Sequence, residues 1–188
     1  MIVEDLNHHF SAAVAEADQA LVEGGRVDPL YLIVGRDLRA QFIGADHTSP
    51  ERKHVSMELA KLAAIAADAE IVIHRTEAWI VLGDATPGVP PSMSDRRREV
   101  VLVLGAARDA DGAILMRLSA REIPRAEDGA ATDTVPLDVP EEGGELLGPL
   151  GNLLRPDSPT QAERRAARAT IERATKRMAR GKAAFVIH

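Results

Sequence analysis

The chain has 188 residues, of which 45% are hydrophobic, 28% charged and only 3% aromatic, and this composition predicts one folded domain rather than a disordered segment. It contains no cysteine, which excludes disulfides, thiolate metal sites and cysteine nucleophiles and favours a reducing, cytoplasmic location. Its net charge is −6, and because it has neither an export signal nor an apolar run of membrane-spanning length, we expect no membrane partner.

Hydrophobic spacing predicts an α+β fold with the element order α-β-β-α-β-β-β. The first helix covers residues 3–22 and ends before Gly24-Gly25. A hairpin follows, in which residues 30–34 pair with 38–43. The second helix covers residues 48–68 and begins with a capping serine followed by proline. The buried residues predicted for this second helix are Val55, Leu59, Leu62 and Ala66.

Three further strands are predicted, one within residues 70–83 and a hairpin within 99–123. We expect about five strands in an antiparallel or mixed sheet with the helices on one face. The predicted divisions of the chain are a core domain over 1–123, a Pro/Gly-rich wrapping segment over 124–159 with one strand at 134–139, and a basic helix with a short terminal strand over 160–188.

The charges of the last predicted helix are concentrated between residues 161 and 182. This stretch contains eight basic and two acidic residues, so its net charge is +6. The remainder of the chain then carries a net charge of −12. The helix either lies on the acidic surface of its own domain or of a twin subunit, or binds phosphates without sequence preference. The residues that would contact nucleic acid are Arg164, Arg165, Arg168, Arg173, Lys176, Arg177 and Arg180.

A metal site is a second candidate function. His54 and Glu58 lie one turn apart on the second helix, and His74 and Glu77 lie on the following strand. If the four side chains converge, they could hold a metal ion for a hydrolase or nuclease, with the arginines of "DRRRE" (95–99) gripping phosphate. The alternative is an ordinary solvated helix face, since the spacing matches no zinc signature.

A third candidate site lies where "TEAWIVLG" (76–83) and "DRRREVVLVLG" (95–105) form adjacent strands. Strand alternation places Arg75, Glu77 and Trp79 on one face. This arrangement predicts either a ligand pocket or an ion pair covered by the indole, with Glu77 meeting an arginine of "DRRRE" across the ladder. The candidate ligand-binding residues are Arg75, Glu77, Trp79, Arg96, Arg98 and Glu99.

The same segments carry a resemblance. Glu77-Ala78-Trp79, then Pro91-Ser92, then Asp95-Arg96-x-x-Glu99-Val100 resemble a pattern in small bacterial and phage-associated proteins that have no assigned activity. It covers residues 77–100, and one extra arginine separates Arg96 from Glu99 compared with the tighter Asp-Arg-x-Glu form. The resemblance implies an accessory or mobile-element context and no mechanism.

These observations together predict a cytosolic accessory protein with a non-enzymatic binding or assembly role. The wrapping segment, the narrow Ala-rich face of the last helix and the apolar C-terminal end are surfaces that need a partner, so we expect a homo-oligomer or a complex with another protein. No catalytic residue and no cofactor is predicted. The alternatives are the metal-dependent hydrolase or nuclease and the nucleic-acid binder described above.

Overall fold

A computed structural model of the chain describes residues 2–83, 88–127, 129, 131, 133–139, 150, 152–155 and 157–179. Residues 177–179 are described by their backbone only. The elements within these ranges are α1 (Ile2–Gly24), β1 (Leu30–Gly35), β2 (Ala40–Gly44), α2 (Pro50–Ala67), β3 (Ala69–Val81), a 3-10 turn (Pro91–Met93), β4 (Arg97–Arg108), β5 (Ile114–Glu122), β6 (Val135–Pro136) and α3 (Gln161–Ala179). The predicted α+β class is confirmed.

The strands form one antiparallel sheet in the order β2-β1-β3-β4-β5-β6. Its centre is the long ladder between β3 and β4, which runs from Ile71 opposite Ala107 to Val81 opposite Arg97. The sixth strand is the two-residue β6 on the outside of β5, so the expected five strands are close to the observed number. Of the predicted strand at 134–139, only Val135–Pro136 forms a strand.

The expectation that the helices share one face of the sheet is wrong, because α1 and α2 cover opposite faces. Leu6, Leu21 and their neighbours in α1 pack on Ile73 and Val103, and we call this side the α1 face. The small residues of α2 pack with Val72, Leu104 and others on the α2 face. Because neighbouring residues of a strand point to opposite faces, the apolar runs of β3 and β4 supply both cores at once.

A glycine allows α1 to lie close to the sheet. A Cβ built on Gly105 of β4 would lie 2.9 Å from a ring carbon of Phe10 and 3.2 Å from a methyl carbon of Leu6. A side chain at this position would therefore push α1 away from the ladder.

Helix α2 begins as predicted, because the Ser49 hydroxyl accepts a hydrogen bond from the N–H of Arg52 at 3.3 Å. Its buried face differs from the prediction, since Val55 is 43% exposed. Small side chains allow the helix to approach the strands closely, and the face that carries them is the one that is buried. The buried residues of α2 are Ser56, Ala60, Ala63, Ala64 and Ala66.

The C-terminal part of the described chain packs on the α2 face. Leu150, Leu153 and Leu154 join the core there, and α3 lies along α2. Helix α3 is capped by Thr160 and Glu163, each side chain binding the other's backbone N–H, at 3.2 and 2.7 Å. The predicted terminal strand lies outside the described residues.

Candidate functional site

The predicted ligand-binding residues of β3 have structural partners on the α1 face. The Arg75 guanidinium lies 3.0 Å from a carboxylate oxygen of Glu16 on α1. The Glu77 carboxylate accepts the backbone N–H of Val27 at 2.5 Å, and the residue opposite Glu77 in the ladder is Val101 rather than an arginine. The expected ion pair between Glu77 and "DRRRE" across the ladder is therefore wrong.

The other predicted ligand-binding residues divide between the two faces. Glu99 lies opposite Trp79 on the α1 face and accepts two bonds, at 2.6 and 3.0 Å, from the guanidinium of Arg125. Arg98 lies on the α2 face and pairs with Glu122 at 2.8 Å, while Arg96 precedes β4 and donates to the Leu82 carbonyl at 3.1 Å. The structure brings Arg75, Glu77, Trp79 and Glu99 to one face and does not gather all six residues around one pocket.

Trp79 lies at the outer end of this face. Its side chain is 42% exposed, and the Arg97 guanidinium lies 5.3 Å from the ring centroid. This cation–π contact joins β3 to β4 beside the loop that connects them. Its role in the structure is to tie the two strands together at their loop-proximal ends.

The four residues predicted to hold a metal do not form one coordination sphere. His54 and Glu58 are exposed on α2, whereas His74 is buried on the α2 face of the sheet. Glu77 lies on the opposite face of the same strand and binds Val27. Within the described ranges, no group of three or more histidine or acidic side chains could hold a metal ion.

Two arginines of the basic helix dock on the C-terminal end of α2. Asp68, which ends that helix and is 2% exposed, lies 3.0 Å from the buried guanidinium of Arg108. Arg164 of α3 and Arg36 approach the same carboxylate at 3.6 and 3.8 Å. Arg168 donates to a backbone carbonyl in the last turn of α2 at 3.0 Å. The negative end of the α2 dipole and the Asp68 carboxylate together attract these cations.

The remaining cations of the basic helix have other placements. Arg173 donates to a carbonyl and a hydroxyl of its own helix, and Arg165 and Lys176 are exposed. The Arg177 side chain and Arg180 lie outside the described residues. Attachment of this helix to its own domain is the interpretation that the contacts of Arg164 and Arg168 support, and nucleic-acid binding stays a prediction.

A cavity of about 320 Å³ lies on the α2 face, under the start of α2. Apolar side chains form most of its wall, namely Met57, Ile80, Leu102, Leu104, Leu150 and Leu153. Polar side chains form one side of it, namely Tyr31, His47, Lys53, His74 and Thr76. Glu77, Ala78 and Trp79 of β3 also contribute to the lining, although the Glu77 carboxylate binds the Val27 N–H on the other face of the sheet. We call it the His47–His74 cavity.

Strand register places His74 in this wall. It lies opposite Tyr31 of β1, and the two rings stack with centroids 4.1 Å apart and planes inclined by 15°. His74 Nδ1 lies 3.1 Å from the Leu30 carbonyl oxygen. Because a carbonyl only accepts, Nδ1 carries the proton in the neutral ring and Nε2 is the acceptor.

His47 comes from the loop between β2 and α2, which Asp46 holds in place. The Asp46 carboxylate accepts the hydroxyl of Thr48 at 2.5 Å and the guanidinium of Arg52 at 2.7 Å. The Asp46 N–H donates to the hydroxyl of the buried Ser56 at 2.9 Å. The bonds from Thr48, followed by that from Arg52, lower the pKa of Asp46 to about 2, so this anchor is charged at neutral pH.

The two imidazoles lie side by side, with ring centroids 5.3 Å apart and planes inclined by 58°. Burial lowers the pKa of His74 to about 4, opposed by the bond to Leu30 and assisted by the nearby His47 and Lys53. Burial, followed by Lys53, also lowers the pKa of His47 against the opposing effect of Asp46. Both rings are therefore neutral at pH 7, and each carries one donor and one acceptor nitrogen.

One imidazole nitrogen in the cavity wall is unsatisfied. His47 Nδ1 lies 3.3 Å from the hydroxyl of Thr76, whereas His47 Nε2 is buried and has no hydrogen-bond partner among the described residues. A buried polar atom without a partner costs about 1–3 kcal/mol.

Sequence reasoning missed this pair of histidines. The available signal was His74 itself, a polar residue within the otherwise apolar run "EIVIH" of β3. His47, two residues before the Ser49 cap, is far from it in sequence, and only the packing of α2 on the sheet brings the two rings together.

No family model matches this chain, and no curated protein or solved structure matches it either. None of the helices in the described part of the chain is long and apolar enough to cross a membrane. The resemblance to small bacterial and phage-associated proteins stays a prediction.

Proposed function

We propose that this chain is a non-enzymatic binding protein whose ligand occupies the His47–His74 cavity. The observation that carries the proposal is the cavity itself, with apolar walls and a single polar side. Small-molecule sites have this composition, in which hydrophobic walls supply affinity and a few placed polar groups fix orientation. With a volume of about 320 Å³, it lies near the lower limit of such sites, so the ligand is small.

The polar groups of the cavity are arranged for recognition. Tyr31 and the Leu30 carbonyl hold the His74 ring in one orientation and one tautomer. The neutral state of both imidazoles makes them hydrogen-bonding groups rather than fixed charges at pH 7. Rigid, neutral rings beside an apolar wall allow a ligand to bind without a large desolvation cost.

Filling the cavity tests the proposal. Octan-1-ol and 3-phenylpropan-1-ol serve as neutral probes, and binding is measured as the rise in melting temperature and by calorimetric titration. Met57→Trp places an indole in the cavity and should abolish probe binding. Glu58→Trp adds the same group to the exposed side of α2 and should leave binding unchanged.

Failure of both alcohols to bind the unaltered chain would overturn the proposal. Equal binding by the Met57→Trp variant would likewise show that the probes occupy another place. Chemical shifts of the His47 and His74 ring protons locate the probe, because only a ligand in the cavity moves both.

We also propose that the protein is a homo-oligomer. The outer edge of β2 has no strand partner among the described residues, and its five residues carry no charge that would discourage pairing. Leu38 and Phe42, beside and on this strand, are 74% and 40% exposed. Identical edges of two copies can pair about a two-fold axis, and light scattering of the purified chain measures the resulting mass.

The cellular context is part of the same proposal. A chain without cysteine suits the reducing cytoplasm, and the resemblance over residues 77–100 supports an accessory role linked to mobile elements. Recovery of the untagged protein in the soluble cytoplasmic fraction, and not in envelope fractions, is the expected result of cell fractionation.

A further inference from the structure

One side chain of the His47–His74 cavity carries a charge with no counterpart. Lys53 lies in the first turn of α2, is exposed to solvent, and forms part of the cavity lining. No carboxylate among the described residues lies within ion-pair distance of its ammonium group. The carboxylate of Asp46, in the loop before α2, is already bonded to Thr48 and Arg52.

The charge of Lys53 reaches the interior of the cavity. The ammonium acts on both imidazoles, because it makes protonation of His47 and of His74 less favourable. A cation that acts on both rings also acts on any charged group that a ligand places between them. The cavity therefore combines apolar walls, two neutral rings and one positive potential at its mouth.

We infer that the ligand of this cavity is a small apolar carboxylate whose carboxylate group pairs with Lys53. This inference rests on the proposed function, because it assigns the ligand class of the same cavity. The apolar part of the ligand lies against Leu102, Leu104 and Leu153, and its charged end lies at the mouth, where water still solvates it.

The polar side of the cavity favours a carboxylate over other charged groups. A phosphate dianion needs several charged or backbone N–H donors, whereas Lys53 is the one cationic side chain among the described lining residues. An ammonium ligand would be repelled by Lys53. A carboxylate carries one charge, which the single ammonium of Lys53 balances at the mouth of the cavity.

The test compares molecules that differ only in their terminal group. Octanoate, octan-1-ol and octan-1-amine are titrated into the full chain at pH 7.5 and low salt, and so are 3-phenylpropionate and its alcohol and amine. We expect the acids to bind about fivefold more tightly than the alcohols, the upper range for a solvent-exposed ion pair, and the amines to bind least.

Variants of Lys53 separate charge from shape. Lys53→Met keeps the length of the side chain and should make acid and alcohol bind equally, whereas Lys53→Arg should retain the preference. Lys61→Met removes an exposed positive charge further along the same helix and should have no effect.

The possible failures are distinguishable. If the alcohols bind but the acids bind no better, or if Lys53→Met leaves the preference intact, the inference is overturned and the proposed function stands. If no probe binds the unaltered chain, both fail together. Loss of the acid preference at high salt, with alcohol binding unchanged, is the further result expected of an ion pair.

Discussion

Burial of His74 should make the protein sensitive to mild acid. Because burial lowers its folded-state pKa to about 4 from an ordinary 6.5, the folded ring binds a proton more weakly than the unfolded one. Below pH 6.5 the unfolded chain takes up this proton and the folded chain does not, so stability falls as the pH falls. The loss is complete near pH 4, where the folded ring also becomes protonated.

The size of the effect follows from the interval between the two pKa values. At about 1.4 kcal/mol per pH unit, the interval from 6.5 to about 4 corresponds to a loss of about 3 kcal/mol in the free energy of unfolding. His74 is only 7% exposed, so solvent screening does little to reduce it. A variant that lacks this ring should therefore show a measurably different pH dependence of the free energy of unfolding, even though the carboxylates also titrate.

The measurement is urea unfolding at several pH values between 8 and 4, followed by the fluorescence of Trp79. His74→Gln replaces the ring by a neutral amide that can still donate to Leu30, and His54→Gln makes the same change at an exposed position of α2. The stability difference between the unaltered chain and His74→Gln should move by about 3 kcal/mol across this range in favour of the variant as the pH falls. The His54→Gln variant controls for the loss of an imidazole at an exposed position.

Groups that titrate in both proteins, including Asp46, contribute to both free energies of unfolding, so their contributions cancel in the difference. His47, whose pKa burial also lowers, remains in both and adds a pH dependence of the same sign to each. If the difference between the unaltered chain and His74→Gln changes by less than about 1 kcal/mol, His74 is solvated in solution and the reasoning from burial is wrong.

Two further predictions concern the buried ion pair and the sheet edge. Arg108→Met leaves the Asp68 carboxylate buried without its closest partner and should cost about 3–5 kcal/mol in urea unfolding, whereas Arg39→Met, at a pair exposed by 85% and 61%, should cost less than about 1 kcal/mol. Equal costs would show that Asp68 is accessible to water. Phe42→Glu places a charge on the edge strand and should yield monomers by light scattering, while Val22→Glu, an exposed position of α1, should not; an unchanged mass for Phe42→Glu would place the contact elsewhere.

The secondary structure could be predicted closely because its signals are local. The 3.6-residue spacing of Leu6, Ala13, Ala17 and Leu21 marked the first helix, and the Ser49 cap marked the start of the second. The turn after Arg108 marked the hairpin of β4 and β5. Each signal depends on residues within a few positions of one another, so no knowledge of the packing was required.

The layers of the fold could not be predicted in the same way. The run "EIVIH" in β3 is apolar at odd and even positions, which is the pattern of a strand covered on both faces, and we assigned the helices to one face only. The buried side of α2 was misplaced because alanines carry little hydrophobic signal. Close approach to the sheet favours small residues, which a search for leucine and valine stripes does not find.

The candidate site depends even more on tertiary structure. Glu77 and His74 are three residues apart on one strand, so they lie on opposite faces and cannot share a ligand. His47 and His74 are distant in sequence, yet their rings are 5.3 Å apart because the loop before α2 places His47 beside Thr76 of β3. Sequence spacing therefore predicted that His74 and Glu77 share a site, although they lie on opposite faces of the sheet. It did not predict that His47 and His74 lie together.

The sequence by itself determined the α+β class, the helix and strand positions and the charge of the last helix, because periodicity, caps and composition act over short distances. Tertiary structure alone decided which face each helix covers, that Arg164 and Arg168 dock at Asp68, and that two imidazoles and Lys53 line one cavity. The physical reason is that burial and the pKa of a side chain depend on neighbours from other elements. Those neighbours are brought together by the packing of α2 on the sheet and of α3 on α2.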